Sequence, residues 1–249
     1  MATIEQIGLS AIDEIDGIER EYISKMDNVM RTIERDLLKL SETKRQDGAD
    51  STILTSKEID DIIRNAGYFI VVTDFLSNGY QSIIEIMKGV YTDLYSLGIA
   101  LPDDTLVQIE TQRQLDLQQF TQISKNHNPI ITRELMNASI DLGAIDAIQD
   151  NIMASVSTMS SNTNTWITTG LNGFTQSIGI AMAIAIGVTL YQYVGPFDGK
   201  TRPFCRRHIG QIKTLSGWNS LDNGQINPVG VYRGGYNCRH ILIGVLGTP

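Results

Sequence analysis

The chain has 249 residues and a net charge of −8, with 20 Lys and Arg against 28 Asp and Glu. This length allows one large or two ordinary domains with a hydrophobic core, which excludes a miniprotein stapled by disulfides. The two cysteines cannot form a disulfide framework, and residues 1–20 lack a signal-peptide pattern, so we expect folding in a cytosol.

The charge is distributed unevenly along the chain. Residues 191–249 hold seven cations and two anions, whereas the remainder has thirteen more anions than cations. The acidic body argues against a protein that wraps nucleic acid over its whole surface. We therefore expect two regions with different partners.

The first 40 residues show an uninterrupted apolar stripe. Apolar residues recur at spacings of three, four and four, an eleven-residue repeat that predicts one nearly straight helix over residues 4–40. A narrow stripe cannot bury itself, so it packs either in a bundle within the chain or, as an assembly helix, against another copy. The stripe includes Ile4, Ile15, Ile18, Val29 and Ile33.

Helical periodicity continues as far as residue 190, before which no strand is predicted. The sequence Thr55-Ser-Lys-Glu58 has the form of a capping box and predicts the start of a second helix. Residues 126–129 end in a proline and predict a break, and the Ser/Thr/Asn tract at residues 155–165 predicts a loop or a poorly packed helix. We assign residues 1–150 to a helical assembly domain.

The segment that follows is free of charged side chains. Residues 151–197 contain none, and residues 178–188 form an apolar run of eleven. That run is shorter than the roughly 20 residues of a membrane-spanning helix. Its Ala and Gly content favours a buried packing helix, with membrane insertion as the alternative. Residues 151–192 are assigned to an uncharged linker and apolar helix.

The pattern changes after Tyr193, where Gly, Pro, Asn and Asp become frequent and apolar residues occur in short groups. This predicts a small, loop-rich α+β module over residues 193–249. A core of this size, about 55 residues, is marginal alone and needs a brace from the preceding helix, a metal or a partner. The predicted fold class is mainly α: a long N-terminal helix and a helical bundle, followed by this module.

The module contains four side chains of the types that bind zinc, in two pairs, and four is the number that closes a tetrahedral site. The Cys-x-x-His spacing of the first pair suits such a site, but Cys-x-His leaves little freedom for both side chains to reach one ion. Two buried reduced thiols and a disulfide between the two cysteines remain alternatives. The four candidate metal ligands are Cys205, His208, Cys238 and His240.

Other chemistry is less well supported by the sequence. Cys205, His208 and Asp198 contain the groups of a nucleophilic site, but no glycine elbow or oxyanion pattern accompanies them, so we predict no enzyme. Arginines of the module could contact phosphate, or they could pair with Asp198 and with backbone carbonyls at turns. The candidate DNA-binding residues are Arg206, Arg207 and Arg233.

Two groups of residues in the module form a recognisable pattern. The first is an aromatic residue and an Asp, then Lys-Thr-Arg, then a Cys; the second is Asn-Cys-Arg further along the chain. The residues are Asp198, Lys200, Thr201, Arg202 and Cys205, then Asn237, Cys238 and Arg239. This pattern resembles the C-terminal domain of phage Mu F-like minor head proteins. The chain departs from it at Gly235-Tyr236, where the family has Pro-His, and at His240, where the family has a second Cys.

The resemblance implies a virion protein assembled in the cytoplasm of a bacterial host. It implies a minor head protein, associated with the portal in several copies, that acts by protein–protein assembly in head morphogenesis and in genome packaging or delivery. The basic module would then face DNA or a neighbouring subunit. The alternative is an ejected, neck or tail protein whose apolar segment enters the host membrane during genome delivery.

Overall fold

The computed structural model of the chain describes residues 2–46, 54–96, 101, 103–140 and 145–246. These residues are mainly helical, with a small three-stranded antiparallel sheet near the C-terminus, which confirms the predicted fold class. The helices are α1 (Ile4–Gln46), α2 (Ser56–Asn65), α3 (Tyr68–Asp74), α4 (Tyr80–Tyr95), α5 (Asp103–Ile140), α6 (Ile145–Ala185), α7 (Pro203–His208), α8 (Leu215–Asn219) and α9 (Val229–Tyr232). A π-helical turn, Phe75–Gly79, joins α3 to α4, and the strands are β1 (Leu190–Val194), β2 (Ile212–Thr214) and β3 (Ile241–Val245).

The chain divides into two compact units. The first comprises Met1–Arg20, Leu76–Leu115 and Ile167–Pro249, and the second comprises Glu21–Phe75 and Asp116–Trp166. Helices α1, α5 and α6 each contribute residues to both units. The three consecutive domains assigned from the sequence stay a prediction, because this division does not test which segments fold or function separately.

Helix α1 forms as the apolar repeat predicts. Ile15, Val29 and Ile33 are buried within a single chain, and Ile4 and Ile18 are half-buried. The three fully buried residues of the stripe therefore pack inside the chain, as the bundle alternative predicts. Contact of the helix with another copy stays a prediction.

The capping box at the start of α2 is confirmed. The Glu58 N–H donates to Thr55 Oγ1 over 3.3 Å, and the Thr55 N–H donates to the Glu58 carboxylate over 2.8 Å. The two residues thus satisfy two backbone donors that the first turn of a helix leaves free.

The predicted break at residues 126–129 is wrong, because α5 continues through Pro129. Asn128 is buried, and its side-chain amide donates to the Ser56 carbonyl over 2.9 Å and to Asp60 Oδ1 over 2.6 Å. These tertiary hydrogen bonds hold the turn in place although proline removes one helical hydrogen bond.

The polar tract at residues 155–165 lies inside α6 and is a packed helix rather than a loop. Thr163 is fully buried and lies 3.4 Å from the Tyr68 hydroxyl, and Asn164 donates to Asp27 Oδ1 over 3.1 Å. The helices around the tract thus supply polar partners to these buried side chains, although Asn164 Oδ1 is buried without a partner among the described residues.

The C-terminal half of α6 forms the centre of the first unit. Its buried residues recur at helical spacing, and Phe174 stacks on Tyr80 with ring centroids 3.8 Å apart. The apolar run at residues 178–188, predicted as one helix, is helical only as far as Ala185, where α6 ends. Val188 is buried in the connection to β1. Within the described ranges, no helix has the length and apolar character needed to cross a membrane.

The sheet has the order β2-β1-β3, which leaves β3 with one edge free of strand partners. Gln176 of α6 pairs with this edge: its amide nitrogen donates to the Leu242 carbonyl over 3.0 Å, and its oxygen accepts from the Leu242 N–H over 2.7 Å. The Gly244 N–H donates to the Tyr91 hydroxyl over 3.2 Å, and the Tyr95 hydroxyl donates to the Gly244 carbonyl over 2.5 Å. Helices α4 and α6 therefore satisfy the edge strand with side chains.

Candidate metal centre in the C-terminal region

Two segments of the first unit carry the candidate site. Helix α7 begins at Pro203, a residue suited to the first helical position, and buries Cys205 on its inner face. The chain between α9 and β3 turns through three residues with positive φ, namely Arg233, Gly235 and Asn237, at 48°, 96° and 55°. This turn brings Cys238 back toward α7.

Cys205, Cys238 and His240 form one buried cluster. The two Sγ atoms are 3.9 Å apart, and Cys238 Sγ lies 3.8 Å from His240 Nδ1. All three ligand atoms lie within 4.8 Å of one another. Two thiols and an imidazole at these separations could hold a metal ion, and their softness suits zinc.

Two hydrogen-bond donors point at the sulfur atoms. The Tyr193 hydroxyl donates to Cys205 Sγ over 3.3 Å and lies 3.7 Å from Cys238 Sγ. The Gly234 N–H donates to Cys238 Sγ over 3.2 Å. Donors of this kind stabilise a thiolate and orient it toward a ligand.

Two glycines give the cluster its space. A Cβ atom at Gly234 would lie 2.3 Å from Cys205 Sγ and 3.2 Å from Cys238 Sγ. A Cβ atom at Gly195 would lie 2.3 Å from the His240 ring. Both shortest distances are far below normal carbon contacts, so a side chain at either glycine would displace a residue of the cluster.

The two thiols differ in their acidity. The hydrogen bond with Cys205 lowers the pKa of Cys238 well below its ordinary value, and His240 and the positive charge of Arg233 lower it further. The same hydrogen bond and burial raise the pKa of Cys205. Burial also raises the pKa of Tyr193, and the neighbouring thiols add to that effect. Cys238 is therefore the sulfur of the pair that ionises first.

His208 does not join the cluster, although the sequence placed it among the four ligands. Its ring packs 4.5 Å from the Phe204 ring between centroids, and its Nδ1 atom lies 3.1 Å from Gln211 Oε1. Positions three apart lie on the same face of a helix, so the spacing alone does not separate the two side chains. The His208 ring instead packs between Phe204 and Trp218, whose ring centroid lies 5.7 Å away. Three of the four predicted ligands meet, and the fourth faces a surface glutamine.

The residues of the family pattern also converge. Arg239 donates two hydrogen bonds to the Asp198 carboxylate, at 2.9 and 2.7 Å. Thr201 Oγ1 and the Lys200 N–H donate to the same carboxylate at 3.0 and 2.9 Å. The hydrogen bonds from Arg239 lower the pKa of Asp198 to about 2, and those from Thr201 and Lys200 contribute. Asn237 lies nearby in sequence but is exposed, in the left-handed conformation that asparagine tolerates.

The predicted DNA-binding arginines differ in exposure. Arg233 is buried, and its guanidinium donates to the Asn172 carbonyl over 2.8 Å, so it faces no solvent where phosphate could bind. Arg206 is exposed, but its guanidinium donates to the carbonyls of Thr201 and Asp198, both over 2.9 Å. Arg207 is exposed.

The side chain of Arg202 joins the two segments by a hydrogen bond to a main-chain carbonyl. Its guanidinium donates to the Gly234 carbonyl over 2.9 Å and to Gln225 Oε1 over 2.8 Å. This contact spans the same two segments as the Cys205–Cys238 pair. The arginine of the first motif therefore has a structural contact next to the cluster.

Sequence reasoning missed Tyr193, Gly195 and Gly234 as members of the site. Tyr193 belongs to β1, whose pairing with β3 brings its hydroxyl to the sulfurs. A tyrosine at the end of an apolar stretch has no motif of its own, and a glycine signals close approach only when its neighbours in space are known. The pair Gly234-Gly235 beside the Asn-Cys-Arg group is typical of a turn and does not by itself indicate a metal site.

The comparisons with known proteins give no relative from which a role could be transferred. No protein-family model, no curated protein and no solved structure matches the chain.

Proposed function

We propose that the chain is a bacteriophage minor head protein that associates with the portal and acts in head morphogenesis and genome packaging or delivery. The observation that carries the proposal is the convergence of the two motif groups shared with Mu F-like proteins. Asp198 contacts Arg239, and Cys205 lies against Cys238, although each pair is separated by more than 30 residues of chain. Residues that resemble a family motif and also contact one another are more informative than a match in sequence alone.

The motif acts as a brace between the stretch that runs from Asp198 into α7 and the segment before β3. The Asp198–Arg239 ion pair, the Arg202–Gly234 hydrogen bond and the Cys205–Cys238 contact join the same two stretches. A small loop-rich region gains stability from such cross-links because its core is limited. This role is architectural, and the protein works by assembly without covalent chemistry.

The proposed partners are the portal, other virion proteins and further copies of the chain in a ring. Lys200 and Arg207 are exposed, and the basic C-terminal region that contains them would face DNA or a neighbouring subunit. Location in the virion, after assembly in the host cytoplasm, belongs to the same proposal.

Zinc is the metal that we propose for the cluster of Cys205, Cys238 and His240. Thiolate and imidazole are ligands that zinc prefers, and the Gly234 N–H already donates to one sulfur. The metal would join α7 to the segment before β3 and so strengthen the brace. Elemental analysis of the purified full chain should give one zinc per chain, and a result of no zinc after growth in zinc-supplemented medium would contradict this assignment.

The proposed function can be tested in a phage whose genome encodes the chain. Deletion of the gene should reduce the yield of DNA-filled heads, and the wild-type chain supplied in trans should restore it. Arg239→Ala should restore it poorly, because the substitution removes the ion pair to Asp198. The control Lys125→Ala alters an exposed residue of α5 and should restore it fully. Normal heads from the deletion strain would refute the proposal.

A further inference from the structure

The cluster of Cys205, Cys238 and His240 supplies three donor atoms, whereas a structural zinc site is closed by four. The fourth ligand predicted from the sequence, His208, lies against Phe204 and Gln211 instead. A closed site therefore needs another donor atom. The side chains around the two sulfurs show which one is available.

The Tyr193 hydroxyl lies against both sulfurs. It is 3.3 Å from Cys205 Sγ and 3.7 Å from Cys238 Sγ. Metal–sulfur bonds of ~2.3 Å and metal–oxygen bonds of ~2.0 Å in a tetrahedron place sulfur and oxygen ~3.5 Å apart. The same geometry places two sulfurs ~3.8 Å apart, and the observed separation of the Sγ atoms is 3.9 Å.

Tyr193 is held firmly in this position. Its side chain is fully buried, and its ring centroid lies 5.2 Å from that of His240 and 5.3 Å from that of Trp218. It belongs to β1, where it pairs with Leu242 of β3. A donor fixed by a sheet and by packed rings gives a metal site the rigid support that it needs.

The second observation concerns His240. Its Nδ1 atom lies 3.8 Å from Cys238 Sγ, within ~0.3 Å of the sulfur–nitrogen separation of a tetrahedral site. The other ring nitrogen, Nε2, is buried and has no hydrogen-bond partner among the described residues. The polar contact of the ring is therefore directed at the cluster.

We propose that Tyr193 is the fourth ligand, so that Cys205, Cys238, His240 and the Tyr193 hydroxyl hold one thiophilic divalent metal ion in a closed tetrahedral site. The proposal rests on the zinc assignment above and adds the ligand that closes the site. Binding breaks the hydrogen bond from the hydroxyl to sulfur and forms bonds from the metal to the phenolate oxygen, to the two thiolate sulfurs and to the His240 nitrogen. The phenolic proton and the protons that the two thiols still hold are released to solvent. No position is then left for water, which makes the site structural.

Cobalt(II) is a suitable probe, because its visible spectrum reports the number and type of its ligands. The full-length wild-type chain should bind Co(II) with the intense bands of a tetrahedral site, and added azide should not change the spectrum. Tyr193→Phe removes the hydroxyl and retains the ring. It should lower Co(II) and Zn(II) affinity at least tenfold and leave a spectrum that shifts with azide, because the fourth position is open.

His208→Gln is the matched control, since it changes the residue that the sequence suggested and the structure places elsewhere. It should bind Co(II) with wild-type affinity and remain insensitive to azide. A wild-type spectrum that shifts with azide would overturn the role of Tyr193, and this measurement needs no variant to fold. Equal affinity and equal azide insensitivity in Tyr193→Phe would also overturn it while leaving zinc binding intact. Failure of the wild-type chain to bind Co(II) or Zn(II) would refute both proposals.

Discussion

Replacement of Gln176 by leucine should destabilise the first unit strongly. Gln176 is 1% exposed and makes two hydrogen bonds to the backbone of Leu242, one as donor and one as acceptor. Leucine is close in size but has no polar group. The substitution would leave the N–H and C=O of a fully buried residue without partners at the edge of the sheet.

The expected cost follows from those two groups. A buried backbone group left unpaired costs about 1–3 kcal/mol, so the pair predicts a loss of about 2–6 kcal/mol in the free energy of unfolding. Gln114→Leu is the control, because Gln114 is exposed on α5 and bonds to Glu110 within the same helix. Its effect should stay within about 0.5 kcal/mol.

Urea unfolding followed by circular dichroism measures the difference, and hydrogen exchange locates it. The Leu242 amide should exchange much faster in Gln176→Leu than in the wild-type chain. A loss below about 0.5 kcal/mol with unchanged protection of that amide would refute the inference that α6 satisfies the edge of β3.

Three further predictions use single positions. Arg233→Met should lower the free energy of unfolding by about 2–4 kcal/mol, because it removes a buried guanidinium that donates to backbone carbonyls. Arg207→Met, at an exposed position, should change it very little. Equal losses for the two variants in urea unfolding would contradict the burial of Arg233. Ile33→Asp should lower the free energy of unfolding by about 3 kcal/mol or more, and Ile18→Asp by clearly less, because Ile33 is fully buried and Ile18 is half-buried. A larger loss for Ile18→Asp than for Ile33→Asp in urea unfolding would contradict the packing of α1. The carboxyl of Asp198, with its pKa lowered to about 2 by its arginine partner, stabilises the folded chain above the unfolded pKa of about 4, and that contribution is lost as pH falls toward 2. Between about pH 5 and pH 2 the free energy of unfolding should therefore fall more for the wild type than for Asp198→Asn. If the two proteins show the same dependence of unfolding free energy on pH, the ion pair does not contribute to stability.

The sequence predicted the elements whose signals are local. The eleven-residue stripe defines α1, and the Thr55–Glu58 capping box marks the start of α2. The change in composition after Tyr193 falls inside the first strand, Leu190–Val194, so the predicted boundary lies three residues after the start of that strand. In each case the residues that carry the signal are neighbours in the chain, so periodicity or spacing is enough to find them.

The features that the sequence did not predict depend on partners far along the chain. Pro129 is kept inside α5 because Asn128 donates a hydrogen bond to α2. Thr163 can be buried because its hydroxyl lies within hydrogen-bond distance of the Tyr68 hydroxyl. In the sequence Gln176 is an isolated polar residue, and only the fold shows that it hydrogen-bonds to Leu242 of β3, 66 residues further along the chain. The same reason explains why Cys-x-x-His suggested His208 as a ligand, whereas the fold brings Tyr193 to the sulfurs.

The most direct test of the central claim is a cryo-electron-microscopy reconstruction of DNA-filled particles, without imposed icosahedral symmetry, from a phage that encodes the chain. The proposed function predicts several copies of the chain arranged in a ring at the portal vertex, with the basic C-terminal region toward DNA or the adjacent subunit. Absence of the chain from the assembled particle at every stage, or its location only in the host cell outside particles, would contradict the claim.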